Sequence, residues 1–62
     1  MIVCHCIKKK YKTDDAVIFE VGNEYYYNID RQGDIWVYKH MSKYADEIFE
    51  SLEEFHKYFK DY

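Results

Sequence analysis

Two runs of aromatic and β-branched residues flank one short polar segment, and this pattern constrains the fold more than any other in the chain. The first run spans 25–29, the second spans 35–38, and the segment between them contains Gly33. Aromatic and β-branched residues favour strands, and a glycine in a loop of about three to five residues provides the left-handed position that a bulged hairpin turn needs. The pattern therefore predicts a β-hairpin.

Alternation along this hairpin places rings on both of its sides. Side chains two positions apart point to the same face of a strand, so Tyr25 and Tyr27 share one face. The opposite face carries Tyr26, Trp36 and Tyr38. We expect either a curled sheet with one ring-rich face partly exposed or a second face that packs against the C-terminal segment.

Three further segments are predicted as strands and one as the start of a helix. Residues 2–7 and 16–21 are rich in strand formers, and 47–50 is a shorter run of the same kind. Ser51 and Glu54 have the spacing of a capping box. Five short strands and a short C-terminal helix indicate a mainly β fold, a small SH3-like five-stranded antiparallel barrel; the alternative is an open antiparallel sheet capped by the helix.

The same periodicities predict the core. Leu52, Phe55 and Phe59 recur at i, i+3 and i+7, which is one stripe of an amphipathic helix, with Lys57 and Lys60 in its last turn. The residues expected to be largely buried are Cys4, Phe19, Val21, Tyr25, Ile35, Val37, Phe55 and Phe59.

A chain of 62 residues with no Pro and two Gly leaves no place for a linker, so we expect one domain over 1–62. It contains no apolar run long enough for a membrane span or for a signal peptide. We therefore expect no membrane association and a cytoplasmic location.

Cysteine spacing argues against a metal site. Cys4 and Cys6 flank His5, which is closer than the spacing of zinc-binding pairs, and the chain has no second pair of cysteines. A metal site formed by Cys4 and Cys6 together with His40 and His56 stays open as a minor alternative. Side chains two apart on a strand share a face, where free Cys behaves as a small buried hydrophobe. We expect no metal and no other cofactor.

Charge is distributed unevenly along the chain, whose net charge is −3. Residues 1–13 contain four bases and no acid: Lys8, Lys9, Lys10 and Lys12. Five acids with no base among them form what we call the acidic arc: Asp46, Glu47, Glu50, Glu53 and Glu54. The arc suits a solvated helix start, and it also suits a negative patch that competes with nucleic acid for a basic groove on another protein.

Four segments resemble one group of small proteins. The segments 3–7, 19–25, 29–37 and 49–59 are together similar to short SH3-type barrel proteins of phages and prophages of Gram-positive bacteria. The resemblance implies a barrel fold and a phage-like setting, and it carries over no catalytic residue.

The sequence contains no Gly-rich phosphate loop and no pair of acid and His at ligand spacing on a helix, so we expect a non-enzyme. We predict an interaction protein, encoded by a phage or prophage and located in the host cytoplasm. It would modulate or inhibit a protein partner, such as a host nucleic-acid enzyme or defence component, through the acidic arc and the rings of Tyr26, Trp36 and Tyr38.

Two alternatives stay open. The first is a single-stranded nucleic-acid-binding module of SH3 or OB type, in which Lys8, Lys9, Lys10 and Lys12 contact phosphates and the three rings stack on bases. The second is a homodimer that buries the exposed rings or a sheet edge, because small domains gain stability by association.

Overall fold

The computed structural model describes residues 1–11, 17–40 and 44–61. Seven strands and one helical turn occur in this part of the chain. In chain order they are β1 (Ile2–Cys6), β2 (Lys10–Tyr11), β3 (Val17–Phe19), β4 (Glu24–Ile29), β5 (Ile35–Tyr38), β6 (Glu47–Phe49), α1 (Leu52–Phe55) and β7 (Phe59–Asp61).

Five strands form one antiparallel sheet in the order β6-β5-β4-β1-β7. β2 and β3 form a separate two-stranded sheet. Within the described residues β6 and β7 are the two edges and do not pair with each other. The expected SH3-like barrel is therefore not found: β1 lies inside the sheet, with β4 on one side and β7 on the other, and the alternative, an open antiparallel sheet with a short helix, fits.

The predicted hairpin is confirmed as β4 and β5, which pair in antiparallel register. Its turn requires a glycine, since Gly33 has a φ of 89° while an added Cβ would meet no neighbouring atom. The Asp30 carboxylate accepts hydrogen bonds from the backbone N–H groups of Gln32 and Asp34, both at 2.9 Å. The turn is thus closed by an aspartate as well as by the backbone.

One face of the large sheet, which we call the inner face, is covered by α1 and by the β2–β3 pair. Phe55 of α1 lies 4.6 Å from the Tyr27 ring and 5.1 Å from the Phe59 ring. Phe19 of β3 meets Tyr25 edge-to-face at 4.8 Å. The core consists of Cys4, Cys6, Ile18, Phe19, Tyr25, Tyr27, Ile35, Val37, Phe49, Phe55 and Phe59.

Seven of the eight predicted core residues are buried, and the prediction for Val21 is wrong. The predicted strand 16–21 is shorter in the structure, where β3 ends at Phe19. Val21 lies in the following turn beside Gly22, whose φ is 89°, and its side chain is 54% exposed. A turn has no sheet face, so the alternation that would bury Val21 no longer applies.

The helix starts where the sequence predicts. Ser51 is the N-cap, and its Oγ accepts a hydrogen bond from the Glu54 N–H at 3.2 Å. α1 ends at Phe55 after one turn, and Leu52 is 44% exposed. The described part of the chain contains no helix long and apolar enough to cross a membrane.

The predicted helical stripe through Phe59 is wrong, because Phe59 begins a strand. β7 pairs with β1, with Phe59 opposite Cys6 and Lys60 opposite His5. Lys57 lies in the connection that follows the helix, so neither Lys57 nor Lys60 is in a last helical turn. A spacing of four residues brings two side chains to one core through a helical turn followed by a strand as well as along a continuous helix.

Candidate interaction surface

The face of the sheet opposite the core, which we call the outer face, carries apolar side chains on four strands. Tyr26 lies opposite Val3 of β1 and Tyr38 of β5, and Trp36 lies opposite Ile48 of β6. These positions alternate with the buried ones on each strand, so their side chains point away from the core. The outer face thus joins four strands.

Exposure differs among the members of the outer face. Trp36 is 36% exposed, Val3 38% and Ile48 46%, whereas Tyr38 is 7% exposed. Tyr26 is half-buried. The sheet therefore brings all three predicted rings to one face, but Tyr38 offers little surface to a partner.

Sequence reasoning missed Val3 and Ile48 as members of this surface. Both lie next to a residue that the core buries, Cys4 and Phe49 respectively, so alternation alone predicts that they point outward. What the sequence did not show is that β1 and β6 lie in the same sheet as the hairpin, which is decided by pairing over long distances in the chain.

Trp36 is held in one orientation by the hairpin turn. Its indole Nε1 donates a hydrogen bond to Asp30 Oδ2 at 2.8 Å. This bond, with further support from backbone N–H groups of the turn, lowers the pKa of the Asp30 carboxyl below its ordinary value. Asp30 is therefore ionised at neutral pH, and the indole presents a ring whose rotamer is already fixed, as a low-entropy anchor requires.

The acidic arc lies along and after the edge strand β6. Asp46 immediately precedes this strand and Glu47 begins it, Glu50 follows it, and Glu53 and Glu54 form the first turn of α1. All are exposed except Glu47, which is half-buried. Glu47 lies opposite the buried Val37 and points to the inner-face side of β6, where it meets Lys10, whereas Ile48 points to the outer face. The edge of β6 therefore separates part of the arc from the rings.

Two acids of the arc form ion pairs. Glu54 Oε1 lies 2.9 Å from Lys57 Nζ, and Glu47 Oε2 lies 3.8 Å from Lys10 Nζ. The exposed Glu54–Lys57 pair contributes about 0–1 kcal/mol, so a partner can exchange it at small cost, whereas Glu47 and Lys10 are half-buried. Within the described residues, Glu50 has no ion-pair partner.

The lysines proposed for phosphate binding surround a different ring. Lys8 Nζ and Lys10 Nζ lie 5.6 and 5.1 Å from the centroid of Tyr58, which packs against the core on the inner-face side. Lys9 is exposed, and Lys12 lies outside the described residues. The structure therefore groups Lys8 and Lys10 with Tyr58 and not with the rings of the outer face.

The two thiols are buried and free. Burial raises the pKa of Cys4 to about 12, with smaller contributions from the charges of Asp61 and Cys6, and burial also raises the pKa of Cys6. Both thiols are therefore protonated at neutral pH, whereas a thiolate is the nucleophilic and metal-binding form. Among the described residues, no three His, Cys, Asp or Glu side chains are grouped so that they could hold a metal ion.

A groove of about 560 Å³ lies at the end of the sheet beside the turn before β4 and is lined in part by Glu20, Asn23 and Tyr25. The Tyr25 hydroxyl accepts a hydrogen bond from the Glu20 N–H at 2.9 Å and lies 3.5 Å from Asn23 Nδ2. These polar groups thus support the turn.

The chain matches no protein-family model, and no curated protein or solved structure matches it. Its function is therefore argued from its own surfaces.

Proposed function

We propose that this protein is a non-catalytic interaction module that binds a protein partner with a basic surface. The observation that carries the proposal is the outer face, where Val3, Trp36 and Ile48 are exposed apolar side chains and Tyr26 is half-buried. From the negative charge of the acidic arc along β6, we infer that the partner surface is positively charged.

The aromatic rings of the outer face are not members of the hydrophobic core. The core is closed by ring contacts on the inner face, such as Phe19 with Phe59 at 5.0 Å, and none of its members comes from the outer face. Interface cores are enriched in aromatic residues, and a large ring fixed in its rotamer is a frequent hot spot. A contiguous exposed apolar surface is a common mark of such an interface.

The acidic arc favours a positively charged partner. With a net charge of −3 and five acids along and after β6, the protein would attract a basic groove, increase the rate of association and disfavour acidic proteins. The partner class that we propose is a nucleic-acid-binding host enzyme or defence component, whose basic groove this surface would occupy. The proposed setting is a phage or prophage protein acting in the host cytoplasm.

A nucleic-acid ligand receives less support. A single strand would have to contact phosphate-binding lysines and stacking rings together, but Lys8 and Lys10 lie around Tyr58, which packs against the core, whereas Trp36 is on the outer face. The acidic arc lies along that strand and would repel phosphates.

Capture from a lysate of a Gram-positive bacterium tests the proposal when matched variants are used. The double variant Tyr26→Ser/Trp36→Thr removes the rings, Glu50→Lys/Glu53→Lys reverses charge, and Leu52→Ser is the control at an exposed apolar residue outside the outer face. We expect a stoichiometric nucleic-acid-binding protein that duplex DNA releases, with capture retained by the control and lost or weakened at least tenfold in both double variants.

Copurification of nucleic acid without a protein partner, or equal capture by all variants, would overturn the proposal. A second copy of the chain is the competing occupant of the outer face. Sedimentation velocity across a hundredfold dilution decides this point, because the proposal expects a monomer throughout and a concentration-dependent dimer would contradict it.

A further inference from the structure

The backbone of β6 leaves Ile48 facing away from the sheet. Asp30 N–H donates to the Asp34 carbonyl at 3.0 Å, and hydrogen-bonded pairs recur at every second position of an antiparallel ladder, so Asn28 and Trp36 form the next such pair. Trp36 thus directs its backbone N–H and C=O toward β4. Ile48 lies opposite Trp36, and its own N–H and C=O consequently point outward from the edge.

The outward-facing N–H of Ile48 donates a hydrogen bond to a side chain of the same strand. The Ile48 N–H donates to Glu47 Oε1 at 3.1 Å, and the other carboxylate oxygen of Glu47 lies 3.8 Å from Lys10 Nζ. No described strand lies beyond β6 on this side. Charged side chains commonly protect sheet edges in this way, and the half-buried Glu47 carboxylate can give way to a backbone carbonyl.

A groove of about 330 Å³ runs beside the same edge. Its lining includes β6 itself, Lys10, Glu50, Glu54 and Tyr58. The Lys10 ammonium lies 5.1 Å from the Tyr58 ring centroid, which shows that the groove accommodates a cation over an aromatic face. Glu47, Glu50 and Glu54 line the groove. Glu47 is paired with Lys10 and Glu54 with Lys57, so Glu50 is the lining carboxylate that has no ion pair among the described residues and is open to a further cation.

We propose that β6 receives an extended basic segment of the partner as an added strand. A backbone carbonyl of that segment replaces Glu47 at the Ile48 N–H, and a Lys or Arg side chain enters the groove beside Glu50 and Tyr58. Strand addition combines main-chain hydrogen bonds for affinity with alternate side-chain pockets for specificity. The inference rests on the proposed function, because it assigns how a basic partner meets the acidic arc.

A synthetic peptide tests the inference without the natural partner. The probe is acetyl-Val-Lys-Val-Arg-Val-Lys-Val-amide, and its control carries Glu in place of each Lys and Arg. We expect the basic peptide, at saturation, to slow hydrogen exchange of the Ile48 amide at least tenfold and to shift the NMR signals of Glu50 and Tyr58. No binding at millimolar peptide, or shifted signals with unchanged Ile48 exchange, would overturn strand addition.

A proline provides the matched variant. An edge position with its N–H facing outward tolerates proline, so Ile48→Pro removes the donor, while Ile48→Thr replaces the side chain and keeps it. Peptide affinity is expected to fall at least tenfold for Ile48→Pro and to stay within about threefold for Ile48→Thr; equal affinities in folded variants would contradict the inference. If Ile48→Pro does not fold, the exchange measurement on the parent protein decides.

Strand addition at β6 and the proposed function can be contradicted independently of each other. Unchanged Ile48 exchange together with loss of captured partner in Tyr26→Ser/Trp36→Thr would remove strand addition and leave the proposed function in place. Peptide-induced protection of Ile48 together with unaltered capture by that double variant would remove the outer face from the proposed function and leave the edge as the contact.

Discussion

The inner and outer faces of the sheet are both rich in rings, yet they differ in what the rings contact. On the inner face Phe55 and Phe59 stack at 5.1 Å and neither is exposed to solvent. On the outer face Trp36 is 36% exposed and its polar atom is held by the hairpin turn through Asp30. Ring content alone therefore does not assign a residue to the core; the difference arises from which face α1 and the β2–β3 pair cover.

The largest effect is expected on the inner face. Phe55→Ala should lower the free energy of unfolding by about 3–5 kcal/mol, because it removes a fully buried ring that contacts Tyr27, Phe49 and Phe59. An unstapled domain of this size has roughly 3–5 kcal/mol in total. Urea titration monitored by Trp36 fluorescence should find the variant largely unfolded at 25 °C.

Leu52→Ala is the control on the same helical turn. Leu52 is 44% exposed, so its truncation should change the free energy of unfolding by about 0.5 kcal/mol or less. Cooperative unfolding of Phe55→Ala near the parent midpoint would show that α1 does not cover the inner face as described.

The inner face also predicts a loss of stability in alkali. The pKa values of Cys4 and Tyr27 are both raised to about 12, from 9.0 and 10.0 respectively, mainly by burial, and Tyr27 also donates to Asp61 at 2.6 Å. The unfolded chain therefore loses these protons first. Stability is complete below about pH 9 and falls as pH rises toward 12, by up to about 1.4 kcal/mol per pH unit for each group.

Urea midpoints measured between pH 8 and 10.5 test this. Cys4→Ala should reduce the decline between pH 9 and 10, where Tyr27 contributes less than at higher pH and the buried Cys6 thiol, whose pKa is also raised, accounts for part of the remaining decline. A midpoint that stays constant over this range in the parent protein would contradict the burial of Cys4.

Local signals predicted most of the inner face, and pairing between distant segments explains what they missed. The hairpin around Gly33 and the cap at Ser51 are properties of a few adjacent residues, and both are confirmed. β7 was missed because its pairing with β1 joins Cys6 to Phe59, a contact between the two ends of the chain that no local periodicity records. The sheet is open because its two edge strands, β6 and β7, do not pair with each other within the described residues, which local periodicity does not record either.

The outer face could be predicted in part. Alternation along the strands correctly predicted that Tyr26, Trp36 and Tyr38 point to the same face of the sheet. It could not predict their exposure, because exposure depends on neighbouring residues, and Tyr38 is only 7% exposed. The contact between Trp36 and Asp30 spans the hairpin turn and requires knowledge of how tightly that turn closes.

A smaller stability effect is expected on the outer face. Trp36→Thr should lower the free energy of unfolding by about 1 kcal/mol, since the ring is partly exposed and threonine is a good strand former. Thermal melting followed by circular dichroism measures the change. A loss comparable to that of Phe55→Ala would show that the outer ring is part of the folding core and would remove the distinction between the faces.

The smallest effect is expected at Val21, which belongs to neither face. Its side chain is 54% exposed in the turn before β4, so Val21→Ser should change the free energy of unfolding by about 0.5 kcal/mol or less. Urea unfolding monitored by Trp36 fluorescence checks this value. A loss above about 1 kcal/mol would restore Val21 to the core that the sequence predicted.

The most direct test of the division between the faces is a hydrogen-exchange footprint of the complex with the captured partner, compared with the free protein. We expect partner binding to slow exchange in the strand segments that carry the outer face, around Val3, Tyr26, Trp36 and Ile48, and to leave β3 (Val17–Phe19), which covers the inner face, unchanged. A footprint confined to α1 and the residues after it, with exchange at the outer-face strands unaltered, would contradict the account.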